Sequence, residues 1–214
     1  MYKKICLASA VILLCACNQQ RPGIISDTFK QTFTSQDAVI DNTKVASIPY
    51  ASMSLTVDDG PLAFIVLAWN EHNTQKWLTA DSKMVSTQNG RIIKTIGFQD
   101  NLLKLESDKP DPLSSPLSIQ EGQQWRVQMQ WNSGTFHSAT VTSRFHWAGT
   151  QNFTILDTSR NYRLLEEHVT AEQDGATYVQ RYWVDAQTGK VVHSEQNLHP
   201  HGPMWSLTLL KPYS

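Results

Sequence analysis

The 214-residue chain carries 18 basic and 19 acidic side chains, so its formal net charge is −1. It therefore lacks the basic excess with which proteins bind nucleic acid or anionic lipid headgroups. Its three cysteines lie at positions 6, 15 and 17. The rest of the sequence offers no thiol for a disulfide, a metal site or a nucleophile.

The first sixteen residues have the pattern of a signal peptide. Lys3 and Lys4 precede a mostly apolar run over residues 5–16, which is shorter than the ~20 residues that a membrane-spanning helix needs. The run ends in Leu14-Cys15-Ala16-Cys17, which resembles the lipobox of bacterial lipoproteins.

The lipobox resemblance implies that residues 1–16 are cleaved off and that Cys17 becomes a lipidated N-terminus, with palmitate among its acyl chains. Three chains anchor a protein far more firmly than one. Position 18 is Asn, and in such lipoproteins the absence of Asp there favours the outer membrane. Residues 17–23 would then be the lipidated N-terminus and a polar tether.

Two short helices are predicted after the tether. Ser26 is an N-cap candidate, and Phe29 and Phe33 share one helix face at i, i+4 spacing. A second helix is predicted over 41–47, ending before Pro49.

The pattern then changes to a period of two, which is typical of strands. Residues 50–57 alternate between apolar and polar. Residues 62–69 are apolar on both faces, which predicts a strand covered on both sides, with Trp69 in the core. Residues 77–79 favour a further short strand.

The strongest turn signal lies within residues 84–98. Two β-prone runs meet there at Asn89-Gly90, the pair preferred in two-residue type I′ hairpins. Arg91 and Lys94 are predicted to be solvated strand charges. If the hairpin contacts a partner, Arg91 is the first candidate.

Residues 107–118 contain three prolines and have no period, which predicts a loop. We expect residues 24–214 to form one β-rich domain; if it divides into two halves, the boundary is this loop. Trp125 and Trp131 follow the loop on one face of an alternating strand, with polar side chains on the other face. They are predicted to be core residues, and the alternative is a platform for sugar rings.

The remaining strands are predicted at 135–147, 152–156, 163–171, 178–184, 190–196 and 205–210. About ten strands at this spacing favour an all-β, antiparallel fold. Because long strands need twist and protected edges, we expect a strongly curved or closed barrel-like sheet, with one or two short N-terminal helices.

The sequence has no motif with strong catalytic spacing, so we predict a non-enzymatic protein without cofactor or metal. His199 and His201 could share a metal, but a third ligand is missing, and an exposed turn is predicted. Glu166 and Glu167 could be posed as the carboxylates of a glycosidase. Adjacent strand residues point to opposite faces, so solvated charge is the favoured interpretation, as it is for the acidic residues near Asp111.

Five segments in order resemble the YjbF/GfcB family of bacterial lipoproteins. They are Ile48 to Met53, Asn89 to Phe98 followed by Asn101-Leu102, Asp111-Pro112-Leu113, Tyr182 to Gly189 with the pattern Y-W-V-D-x-x-T-G, and Leu210-Lys211-Pro212. The resemblance covers nearly the whole mature chain. It implies a barrel-like fold with peripheral helices, and a link to exopolysaccharide and group 4 capsule production. It supplies no catalytic residue.

The leading hypothesis is therefore a lipid-anchored periplasmic accessory protein of polysaccharide secretion, held at the outer membrane. Its expected partners are the membrane, an outer-membrane β-barrel protein, periplasmic export proteins and the polysaccharide itself. One alternative is a carrier of a lipid or a lipid-linked glycan inside the sheet. The other is a polysaccharide-modifying enzyme that uses Glu166 or Glu167.

Overall fold

The computed structural model describes residues 40–213. They form twelve antiparallel strands and a small helix. The helix is α1 (Asn42–Ser47), and short 3-10 helices occupy Pro112–Ser114 and Pro116–Ser118. The strands are β1 (Ser52–Val57), β2 (Ala63–Glu71), β3 (Thr74–Leu78), β4 (Met84–Gln88), β5 (Arg91–Ile96), β6 (Asp100–Glu106), β7 (Gln124–Ser133), β8 (Thr135–Ile155), β9 (Thr158–Ala171), β10 (Thr177–Val184), β11 (Val191–Asn197) and β12 (Met204–Lys211).

The strands form one sheet in the order β5-β4-β3-β2-β1-β12-β11-β10-β9-β8-β7-β6. The two end strands, β5 and β6, are joined by the short connection 97–99, so the sheet curves until its ends meet. This arrangement confirms the predicted antiparallel, barrel-like fold.

Side chains help to close the seam between β5 and β6. The amide of Gln196 accepts from Ile92 N at 3.0 Å and donates to Gly90 O at 2.8 Å, as a neighbouring strand would. Thr95 Oγ1 accepts from Leu102 N at 2.9 Å. These bonds satisfy backbone groups that an open edge would leave free to pair with another chain.

The interior of the barrel is apolar and packed. Trp77, Phe145, Leu165 and Trp205 are at most 1% exposed and belong to one continuous hydrophobic cluster. The alternation of apolar and polar residues along β7 supplies part of this inner face, as a half-buried antiparallel strand requires.

Part of the outer face is also covered. The helix α1 is capped by Asp41, whose side chain accepts from Lys44 N, and it packs Val45 against Phe64 and Val66 of β2. This contact explains why residues 62–69 are apolar on both faces, and it confirms the prediction of a doubly covered strand.

The second cover is the arm, defined as residues 150–163, in which the ends of β8 and β9 pair beyond a bulge after Trp147. Phe153 of the arm stacks on His193 with ring centroids 4.3 Å apart and also contacts Trp183. At the tip of the arm, Asp157 accepts a hydrogen bond from Asn42.

The local predictions are confirmed where a turn sequence or the spacing of apolar residues determines the structure. Asn89 and Gly90 have φ of 50° and 88°, as the predicted I′ hairpin requires. The predicted second helix is α1, and the predicted helix at Ser26 lies outside the described residues.

Three strand-level predictions are wrong. Strand β6 was not predicted. The strands predicted separately at 135–147 and 152–156 form the single long strand β8, because Gly149 takes a φ of 87° within a bulge that does not end the pairing. Trp69 is 48% exposed rather than in the core, since a register shift follows Leu67 near the end of β2.

Candidate functional site

A buried charge cluster lies inside one end of the barrel. It consists of Arg91, Asp111, Glu167 and Tyr182. The Arg91 guanidinium donates to Asp111 from Nε at 2.5 Å and from Nη2 at 3.2 Å, and to Glu167 from Nη1 at 2.8 Å. Arg91 is 3% exposed and Glu167 is fully buried. The cluster therefore joins the β4–β5 hairpin to the loop after β6 and to β9.

Its hydrogen bonds satisfy the remaining polar atoms. Ser143 donates to Glu167 Oε1 at 2.5 Å, and the Tyr182 hydroxyl lies 3.0 Å from Glu167 Oε2 and 2.8 Å from Gln180 Oε1. Buried charges persist in proteins only when they are paired and bonded in this way.

The protonation states are fixed by this environment. Burial alone would lower the pKa of Arg91, but the carboxylates of Asp111 and Glu167 outweigh it and hold that pKa well above its usual value. Burial also raises the pKa of Tyr182 well above its ordinary range, so the phenol stays neutral.

The prediction that Arg91, Asp111 and Glu167 are solvated charges is wrong. Each pairs with residues far along the chain, and no local pattern reports such a pairing. Glu166 and Glu167 do point to opposite faces: Glu166 meets Arg181 on the outside, with 3.3 Å between Oε1 and Nε. Lys94 is exposed, as predicted for a solvated strand charge.

The two tryptophans proposed as sugar platforms are engaged within the protein. Trp125 is 5% exposed, has the Arg91 guanidinium 4.7 Å from its ring centroid, and donates from Nε1 to Lys109 O at 3.2 Å. Trp131 is half-buried and stacks on His199 with ring centroids 5.0 Å apart. Both packings agree with the core interpretation.

Above the charge cluster, several segments that carry the family resemblance meet around one groove. It is bounded by the β4–β5 turn, the loop after Asp111 and the turn at Thr188-Gly189, and its volume is about 380 Å³. Gly90 is required at this junction, because a Cβ there would lie 2.5 Å from Val191 Cβ.

The lining of the groove combines hydrogen-bonding and apolar groups. Its polar members include Asn73, Gln75, Asn89, Thr188 and Lys190, and its apolar members include Leu113, Val191 and the exposed ring of Tyr213. Among the described residues, the lining contains no Asp, Glu, His or Cys side chain. Sequence reasoning did not find this groove, because its members come from turns whose proximity depends on barrel closure.

The interior offers little room for a ligand. The cavity beside Arg91 and Gln196 measures about 20 Å³, room for about one water molecule. An acyl chain or a lipid-linked sugar does not fit this space, which counts against the carrier hypothesis.

The histidine pair does not form a joint site. His199 is buried against Trp131, whereas His201 Nε2 lies 3.0 Å from Asp174 Oδ2. The expected exposed turn is thus correct for His201 and wrong for His199. Over residues 40–213, no group of three or more His, Cys, Asp or Glu side chains is placed to hold a metal ion. Within the same range, no helix has the length and apolar character to cross a bilayer.

Comparison with known proteins links the whole chain to bacterial lipoproteins. Residues 26–210 match a family model, YjbF, described as group 4 capsule polysaccharide lipoprotein gfcB, YjbF. The uncharacterized lipoprotein GfcB of Escherichia coli K12 is 31% identical over 208 residues, covering 96% of this chain and 97% of the relative. The uncharacterized lipoprotein YjbF of the same strain is 32% identical over 194 residues, covering 88% and 90%.

A solved structure is similar as well. The crystal structure of the hypothetical lipoprotein YmcC from Escherichia coli K12 matches with a TM-score of 0.80 and 32% identity, covering 89% of this chain and 97% of that one.

Proposed function

Because the chain belongs to the YjbF family of group 4 capsule polysaccharide lipoproteins, we propose that it is a lipid-anchored, non-enzymatic accessory protein of exopolysaccharide or capsule secretion. Cys17 carries the acyl chains in this proposal, and the barrel faces the periplasm from the inner leaflet of the outer membrane. Its partners are an outer-membrane β-barrel protein and periplasmic proteins of the export system.

The composition of the groove carries the non-enzymatic part of the proposal. Hydrolysis of a glycosidic bond uses a pair of carboxylic side chains on either side of that bond, and the part of the lining that residues 40–213 supply holds none. Glu167, the sole buried glutamate among the described residues, is bonded to Arg91, Ser143 and Tyr182. Both observations support a binding role over glycoside hydrolysis.

The anchoring part rests on the Leu14-Cys15-Ala16-Cys17 sequence and on the lipoprotein relatives. Deleting the gene should reduce cell-surface polysaccharide under conditions in which the polymer is made. Wild-type protein should restore it, whereas Cys17→Ala should lose both palmitate labelling and membrane association. Unchanged polysaccharide in the deletion strain would refute the proposed function.

A separate assay tests the absence of catalysis. Purified protein incubated with the strain's own surface polysaccharide should release no reducing ends. Release that disappears in Glu167→Gln, with the fold retained, would restore the enzyme hypothesis.

A further inference from the structure

The groove at the end of the barrel is a built surface, because the charge cluster beneath it fixes its walls. Arg91 follows the hairpin turn directly, and its bonds to Asp111 hold the loop that forms the opposite wall. Asp185 holds the third wall by accepting from Thr188 N at 2.8 Å and from Thr188 Oγ1 at 2.9 Å. Such pre-organisation reduces the entropy cost of binding.

We propose that this groove binds a short stretch of polysaccharide, one or two sugar rings long, through the amides of Asn73, Gln75 and Asn89 and the ring of Tyr213. The inference rests on the proposed function and adds a site and a ligand class to it. The volume of about 380 Å³ lies within the range of small-molecule sites.

The chemistry of the lining fits a sugar. A side-chain amide carries donors and an acceptor, which suits neighbouring hydroxyl groups. Gln75 Oε1 accepts from Thr87 Oγ1 at 3.5 Å, so its NH2 group is the part directed to a ligand. Asn73 Nδ2 donates to Asn89 Oδ1 at 3.0 Å, so the two amides are held together while Asn89 keeps its donor group for a ligand. Tyr213 is 59% exposed and offers an aromatic face to the C–H groups of a ring.

The charges of the lining admit neutral and acidic sugars. Lys190 is exposed at the rim, and no carboxylate of the lining opposes an acidic ligand. A peptide strand fits less well. Strand addition would use Gly90 O and Ile92 N on the neighbouring edge of β5, and the Gln196 amide is already hydrogen-bonded to both.

The test uses the mature lipidated protein, purified in detergent, and surface polysaccharide from the strain that carries the gene, immobilised on a biosensor. Gln75→Ala and Tyr213→Ala should each weaken binding about fivefold, as expected for the loss of one hydrogen bond or one ring contact. Gln128→Ala and Tyr50→Ala, matched changes at positions outside the groove, should leave binding within twofold of wild type.

Several results would overturn the inference. These are no saturable binding by the wild type, equal effects of groove and control variants, or cross-linking of groove residues to a protein in place of glycan. Complementation of the deletion strain distinguishes a failure of the groove inference from a failure of the proposed function. A Gln75→Ala/Tyr213→Ala double variant that restores surface polysaccharide fully would remove the groove inference and leave the accessory role intact.

Discussion

Arg91 is the residue that ties the groove to the barrel, because one guanidinium serves two carboxylates from different elements. Replacing it with Met leaves the fully buried carboxyl of Glu167 without its cation. We expect Arg91→Met to lower the free energy of unfolding by about 3–5 kcal/mol, the usual cost of breaking a buried ion pair from one side.

Urea unfolding of the purified protein measures this loss. Arg126→Met is the matched control, since Arg126 pairs with Glu172 at the surface, with its side chain 67% exposed, and such pairs contribute little. A loss in Arg91→Met no larger than that in the control would contradict the structural role of the cluster. In the double variant Arg91→Met/Glu167→Gln, part of the stability should return, because the fully buried carboxyl of Glu167 is removed together with its cation, whereas the remaining carboxylate, Asp111, is partly exposed.

His193 gives the fold a specific dependence on pH. Burial lowers its pKa from 6.5 to about 4, so the unfolded chain binds a proton first as the pH falls. The stability linked to His193 is therefore complete above pH 6.5 and is lost as the pH falls from 6.5 towards 4, by about 3 kcal/mol in total.

The difference in unfolding free energy between wild type and His193→Gln, measured at pH 7 and at pH 4.5, isolates this contribution. Between pH 7 and pH 4.5, the unfolding free energy of His193→Gln should fall by about 2–3 kcal/mol less than that of wild type. His168→Gln, which changes an exposed histidine ring in the same way, is the comparison variant. Parallel curves for His193→Gln and wild type would disprove the linkage.

At the scale of elements, the arm formed by residues 150–163 depends on one aromatic contact. Phe153 packs on His193 and Trp183 and thereby covers the outer face of β10 and β11. Phe153→Ala should cost about 1–2 kcal/mol and should speed amide hydrogen exchange in the arm more than in the interior strands. It should also raise the pKa of His193 towards 6.5, because the imidazole becomes more hydrated.

Hydrogen-exchange mass spectrometry and NMR titration of the His193 ring measure the two effects. Phe136→Ala serves as the control, since Phe136 is 62% exposed on the β7–β8 hairpin. Unchanged exchange in the arm of Phe153→Ala would mean that the strand pairing of the arm, and not this contact, holds it in place.

The elements also explain what could be predicted from sequence. The Asn89-Gly90 turn and the alternation along β7 are local features, so residue type and the spacing of apolar residues were sufficient to predict them. The partners of Arg91 lie 20, 76 and 91 positions away, and its burial follows from barrel closure alone. The groove was missed for the same reason, although segments that define its walls carried the family resemblance.

At the scale of the whole molecule, the connectivity argues against two independent halves. The loop at 107–118 lies between β6 and β7, which pair with each other, and the first strand, β1, pairs with the last, β12. The two halves of the chain are therefore joined along two strand pairs. Asp111 and the fully buried Leu113 also bind the loop itself to the barrel.

This arrangement predicts one cooperative unfolding transition. Far-UV circular dichroism and tryptophan fluorescence should give the same urea midpoint, because Trp77 reports on the first half and Trp205 on the second within one core. Arg91→Met should move both signals together by the same amount. Two separated transitions, or a shift confined to one signal, would show that the loop divides the barrel into units that unfold independently, since a shared core cannot lose one half while the other keeps its packing.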